Sequence, residues 1–255
     1  MPEQFEARVR FHGDLTYFLK NEYTGGEIGR TLCEPTSVKD IIEACGVPHP
    51  EVDRILVNGK PVDFKHVLRN NSMIDVYPVG FIDIDVEASD RLQRRDHDRF
   101  VVDGHLGKLA RNLRLLGFDV VYSPPLDDVE LLQTMEKDER AILTRDRRLL
   151  MHSIVRDGYC PRSDDPLEQT IEVVRRFGLI SRTKPFTRCL QCNSFLREID
   201  KSAVLEQLEP LTRIYYEEFR SCTGCGKIFW RGSHFSKLES LLERVRSELE
   251  ASGPG

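Results

Sequence analysis

Two Cys-x-x-Cys pairs, Cys189/Cys192 and Cys222/Cys225, constrain this chain more tightly than any other feature. Four thiolates drawn to one point leave a tetrahedral ion no open position, so this spacing predicts a structural zinc site, or iron in its place. The pairs are followed by Asn193 and Gly226, residues that tolerate the left-handed backbone of a tight metal knuckle. A dithiol redox role is the competing use of the motif, and two separated pairs argue against it. The remaining three of seven cysteines, Cys33, Cys45 and Cys160, are scattered. That reads as buried thiols in a reducing compartment and not as a disulfide framework. The N-terminus lacks a signal-peptide layout, and no apolar run approaches the roughly 20 residues of a membrane span. The expectation is a cytoplasmic protein with no membrane contact.

Before the cysteines, two patterns follow one another. Phe5, Ala7, Val9 and Phe11 alternate with charged residues, the period of a half-buried strand. Ser37, with Asp40 three residues on, caps a helix whose apolar stripe is Val38, Ile41, Ile42 and Cys45, and Gly46 closes it. Residues 54–57 run into Asn58-Gly59, a hairpin-turn signal, and 73–79 form a last strand. Residues 1–80 therefore predict a small α+β domain that resembles the β-grasp fold of ubiquitin-like sulfur carriers. Carriers react through a free terminal Gly-Gly, whereas here Gly80 continues into Phe81. A binding or regulatory module with a protein partner is the expected role. This part carries acid in excess, 9 Lys and Arg against 15 Asp and Glu over residues 1–88, while the remainder has 28 against 27. Phosphate-binding patches are thus expected only beyond it.

Residues 81–99 are charged and irregular, and predict a linker. From 100 to 182 the grammar becomes α/β. Short apolar runs at 99–103, 118–122, 141–144 and 154–160 alternate with helical stretches at 105–116, 128–137 and 166–177. Such alternation implies βαβ units and a mostly parallel sheet. Residues 183–238 form the zinc ribbon and 239–255 a C-terminal helix or tail.

Ligands collect beyond the carboxyl ends of parallel strands. Asp103 and Asp146 stand at such ends, Asp128 opens a helix, and Asp164-Asp165 lie at another strand-to-helix passage. Convergent carboxylates suit Mg²⁺ or Mn²⁺, which can activate water against a phosphodiester. Helix capping is the plainer use for Asp128 and Asp165, where Asp165-Pro166-Leu167-Glu168 is an ordinary cap sequence. Lys108, Arg111, Arg145 and Arg162 are candidate phosphate contacts near these acids. A solvated helix face is the plainer reading of Lys108 and of neighbouring Arg114, and an ion pair with Asp146 that of Arg145. His105 lies near Asp103, with a local backbone contact as its plainer role. Phe229 and Trp230, among cationic residues after the second knuckle, suit either base stacking or core packing.

Four stretches carry a resemblance to a known family. They are FVVDGHLGKLARNLRLLGFDVVY at 100–122, LTRDR at 143–147, RCLQCN at 188–193 and CGKIFWRGSH at 225–234. The chain resembles the Mut-seven C-terminal RNase family, a PIN-like nuclease domain with an appended zinc ribbon. Its first 80 residues resemble the ubiquitin-like domain often fused in front. The resemblance implies a metal-dependent ribonuclease, with RNA as substrate, structural zinc and catalytic Mg²⁺ or Mn²⁺. Asp103 and Asp146 would hold the catalytic metal, joined by Asp128 and by Asp165 or Glu168. A non-catalytic adaptor, binding RNA or protein through the ribbon and the β-grasp domain, is the alternative.

Overall fold

The structure is a computed structural model that describes residues 4–20, 27–81, 91–124, 127–232 and 235–251, with side chains to 248. Most of the predicted linker (82–90), Pro125 of the expected break, Ser233-His234 of the last motif and the tail from 252 lie outside the described residues. By contacts the chain divides into two compact units: 1–97 with 127–162, and 98–126 with 163–254.

Seven strands open the chain: β1 (Phe5–Phe11), β2 (Glu27–Leu32), β3 (Thr36–Ser37), β4 (Val52–Val57), β5 (Lys60–Val62), β6 (Val67–Leu68) and β7 (Ser72–Pro78). Five make one sheet in the order β2-β1-β7-β4-β5, and β3 pairs with β6. The central β1–β7 pair is parallel and its flanks antiparallel. With α1 (Val38–Ala44) packed by Val38, Ile41 and Ile42, this is the expected β-grasp arrangement. Local chemistry sets its corners. The Ser37 hydroxyl accepts from Asp40 N at 3.1 Å, capping α1. Asn58 and Gly59 take φ of 50° and 77°, the left-handed pair of a two-residue hairpin between β4 and β5.

Four strands and four helices follow: β8 (Arg99–Val102), α2 (Gly107–Leu115), β9 (Asp119–Val121), α3 (Asp128–Asp138), β10 (Ala141–Leu143), α4 (Arg147–Leu150), β11 (Gly158–Tyr159) and α5 (Pro166–Arg176). The alternation is as read from the sequence, although the stretch expected at 154–160 keeps only two strand residues. β10 pairs with β11 in the first unit and β8 with β9 in the second, both in parallel. Parallel pairs need crossovers, and the helices supply them.

In the first unit the β-grasp elements and residues 147–162 share one buried seam. Glu51, 3% exposed, accepts from Cys160 N at 2.6 Å and from both terminal nitrogens of Arg162, at 3.0 and 2.8 Å. His49 Nε2 lies 2.6 Å from Val155 O, and Arg147 donates to Phe18 O at 2.9 Å. Burial opposes the charge on Arg162, yet Glu51 holds its pKa above the ordinary value. A buried fork of this kind is dangerous to halve, because the surviving charge has no partner. Glu51→Ala should lower the unfolding free energy by about 3–5 kcal/mol, read from urea denaturation. A change within a few tenths of a kcal/mol would contradict the seam. Two of the three unpaired cysteines are buried as expected, and Cys33 is exposed. Burial, helped by Glu51, pushes the Cys160 thiol up to about 11.

The second unit packs α2 and α5 around Phe100, with Phe177 and Phe118 edge-on to it at 5.2 and 6.4 Å. Then come β12 (Leu196–Ile199), α6 (Lys201–Val204), α7 (Pro210–Tyr215), β13 (Phe219–Cys222), β14 (Ile228–Trp230) and α8 (Phe235–Ala251). β12, β13 and β14 form an antiparallel ribbon around a small core of Val204, Leu208 and Phe219. Gly117, at φ 97°, ends α2 where a Cβ would strike the Lys184 carbonyl, so only glycine closes this turn.

Candidate functional site

The four cysteine sulfurs lie within 4.8 Å of one another, with Cys189–Cys225 at 3.8 Å and Cys192–Cys222 at 3.2 Å. Zn–S bonds of about 2.3 Å make a tetrahedron with edges of about 3.8 Å, so the donor set fits zinc in both chemistry and size. Among the described residues this is the one group of three or more His, Cys, Asp or Glu side chains gathered closely enough to hold a metal. Both knuckles turn as expected, with Asn193 at φ 70° and Gly226 at φ 71°. The amides of Gly224 and Cys225 donate to Cys222 Sγ at 3.4 Å each. Burial pushes the Cys189 thiol up to about 12. Against its own burial, hydrogen bonds from Ser194 draw Cys192 down to about 6.

Arg114 corrects the sequence reading. Expected on a solvated helix face, it is 4% exposed. Its guanidinium donates to Val120 O at 3.1 and 2.9 Å and to the knuckle carbonyls of Leu190 and Gln191 at 3.2 and 2.8 Å. Burial lowers its pKa while the Cys189 and Cys192 sulfurs pull it back up. A cation here complements the net charge of about −2 that four thiolates leave around Zn²⁺. Asn193 adds a second tie: its carbonyl accepts from Val120 N at 3.0 Å and its amide donates to Asp119 at 2.9 Å. Arg188 makes a third, to Gly117 O at 3.1 Å and Asn193 O at 3.0 Å. Spacing alone had marked Asn193 only as turn-forming, and its side-chain role carried no sequence signal.

All four predicted catalytic aspartates stand at helix starts. Asp103 follows β8, and its Oδ1 accepts from the backbone N–H of His105 at 3.4 Å. Asp146 follows β10 and caps α4, Oδ1 accepting from Arg148 N and Leu149 N at 2.7 and 3.2 Å. Asp165 caps α5 through Leu167 N and Glu168 N at 2.8 and 3.1 Å. The cap of α3 is Asp127, in a reciprocal box with Glu130, and Asp128 is the first helical residue. Asp128, Asp146 and Asp165 are exposed and Asp103 half-exposed. Asp128 and Asp146 belong to the first unit, Asp103 and Asp165 to the second. Lys108, Arg111 and Arg145 are exposed, whereas Arg162 is taken by Glu51 and by Asp14 at 3.1 Å.

Residues 98–242 match the Mut7-C RNAse domain, and residues 4–81 match the Mut7-C ubiquitin domain. The first match covers more than half of the chain, which therefore belongs to the Mut7-C RNAse domain family, a family of nuclease type. No curated protein matches it. Among solved structures, a Pyrococcus furiosus chain described as molybdopterin converting factor, subunit 1, is similar to it at 18% identity and a TM-score of 0.23. That likeness covers 29% of this chain and 97% of the other. No helix among the described residues is long and apolar enough to cross a membrane.

Proposed function

We propose that this protein is a metal-dependent endoribonuclease acting in the cytoplasm, with the four-cysteine cluster holding a structural zinc. The observation that carries the reading is the match of residues 98–242 to an RNase domain family. Its support in the fold is the position of Asp103 and Asp146, each just beyond the carboxyl end of a parallel strand. Mg²⁺ commonly takes one or two protein carboxylates, its other ligands being water and phosphate oxygens, and solvent-accessible aspartates such as Asp146 are donors of that kind. Such an ion, when bound, supplies an activated water and charge for the leaving oxygen.

The chain's own groups do the rest. Asp103 and Asp146 would each offer a carboxylate to the metal, and Asp128 and Asp165 are further acids at helix starts. The backbone bonds to Asp146 both fall on Oδ1, which locks the side chain and leaves Oδ2 to a ligand. Lys108, Arg111 and Arg145 are exposed cations for substrate phosphates. The ubiquitin-like domain is the part offered to a protein partner. A panel of single-stranded RNA and DNA, with and without Mn²⁺, tests the reading: cleavage of RNA only with the metal is expected. Inert RNA under every condition, with both substrates bound, would leave the adaptor reading in its place.

A further inference from the structure

We infer that the ribbon face of the second unit is a groove for single-stranded RNA, with unpaired bases stacked on its aromatic side chains and phosphates held by Arg111, Arg197 and Lys227. The class of ligand rests on the ribonuclease reading, and the rest on the groove itself. Its volume is about 1440 Å³, more than the roughly 300–1,000 Å³ of a small-molecule pocket, so it suits a chain better than a metabolite. It is lined by residues of the ribbon β12–β14 and of α7, whose Leu211 and Tyr215 are 67% and 72% exposed. Arg111 from α2 and the segment at 185–190 complete the lining. Every lining residue belongs to the same unit.

Charge selects the occupant. Three of the four carboxylates in the lining are already matched, Glu198 by Arg220 at 3.5 Å, Glu217 by Lys201 at 2.6 Å and Glu218 by Arg231 at 3.9 Å. Arg111, Arg197 and Lys227 have no carboxylate partner among the described residues; Arg197 Nε donates to the Ser221 hydroxyl at 3.3 Å. The surplus is positive, which favours a polyanion and opposes a second copy bringing the same surplus against itself.

Aromatic rings alternate with these cations. Lys227 lies 6.0 Å from the Phe229 ring, Trp230 is 39% exposed, and Phe186 stacks on Phe235 at 4.5 Å. Phe186 holds φ 59°, costly for a bulky residue. Its N–H donates to Leu115 O at 3.0 Å and its carbonyl accepts from Arg220 at 2.9 Å, which hold its backbone in that conformation. Arg111, Lys227 and Phe229 also line a smaller hollow of about 340 Å³ beside the first knuckle. Aromatic rings and cations lining one groove are the means by which proteins hold single strands, because every base offers a π face.

Trp230 is the only tryptophan, so its fluorescence reports on the groove. The full zinc-loaded chain, dialysed free of Mg²⁺ and Mn²⁺, is titrated with oligouridylate of about 12 nucleotides. Quenching with a dissociation constant of roughly 1–100 µM, weakening as salt rises, is expected. Arg111→Ala with Lys227→Ala should shallow the salt dependence by about two charges. Tyr215→Ala should weaken binding about tenfold and leave that dependence unchanged. Circular dichroism confirms that each variant is folded. Absent quenching, equal affinity for duplex RNA, variants that bind like the parent, or a protein mass that doubles as emission falls would each overturn the groove. Binding of this kind without cleavage once Mn²⁺ is restored would sink the ribonuclease reading alone. Cleavage without a Trp230 response would sink the groove alone.

Discussion

Asp146→Asn is expected to abolish Mn²⁺-dependent cleavage of single-stranded RNA while leaving the melting temperature within a few degrees. The two halves of that result come from different oxygens. Oδ1 caps α4 through the amides of Arg148 and Leu149, and an asparagine carbonyl caps almost as well. What asparagine lacks is the charge that would hold a divalent ion, worth several kcal/mol in the transition state. The rate should fall by about two orders of magnitude or more. Asp146→Ala removes the cap as well, so it should lose the same activity and also about 1 kcal/mol of stability. The pair of variants separates catalysis from capping. Full cleavage by a folded Asp146→Asn protein would remove the assignment, and a large drop in melting temperature would recast Asp146 as structural.

Stripping the metal from the four-cysteine cluster should unfold the ribbon. Its hydrophobic core consists of Val204, Leu208 and Phe219 with partly buried neighbours, too little to hold three short strands alone. Structural zinc contributes roughly 10–16 kcal/mol in modules of this size, so metal and fold should be lost together. Elemental analysis should find one zinc per chain. A chelator, or Cys222→Ser, should abolish the near-ultraviolet dichroism of Trp230 in β14. Because Arg114, Arg188 and Asn193 tie the first knuckle to α2 and β9, disorder should spread into that helix end. Confirmed metal loss with an unchanged spectrum would contradict the structural role.

Features set by near neighbours were legible from residues alone. Ser37 capping α1, the Asn58-Gly59 hairpin, the cap formed by Asp165 and Pro166, and the knuckle positions Asn193 and Gly226 all appear where their chemistry placed them. Each depends on groups a few residues away, so a short window contains the whole interaction. Asp127 and Asp128 obey the same rule. Either of two adjacent acids could cap α3, and Asp127 takes the box because Glu130 stands three residues after it, where Asp128 has Leu131.

Arg114 and Arg162 show what such windows miss. On a helical wheel Arg114 belongs to a wet face, but a knuckle more than seventy residues later covers it. Arg162 sits near acids in sequence, and Glu51, 111 residues earlier, claims it. The ligand spacing of the cysteines, the alternation of strands and helices, and the acids at strand ends were written in the order of residues. Which cations are buried clamps and which stay exposed was settled only on folding. A side chain's charge is intrinsic to it, whereas its solvation depends on whatever distant segment comes to rest against it.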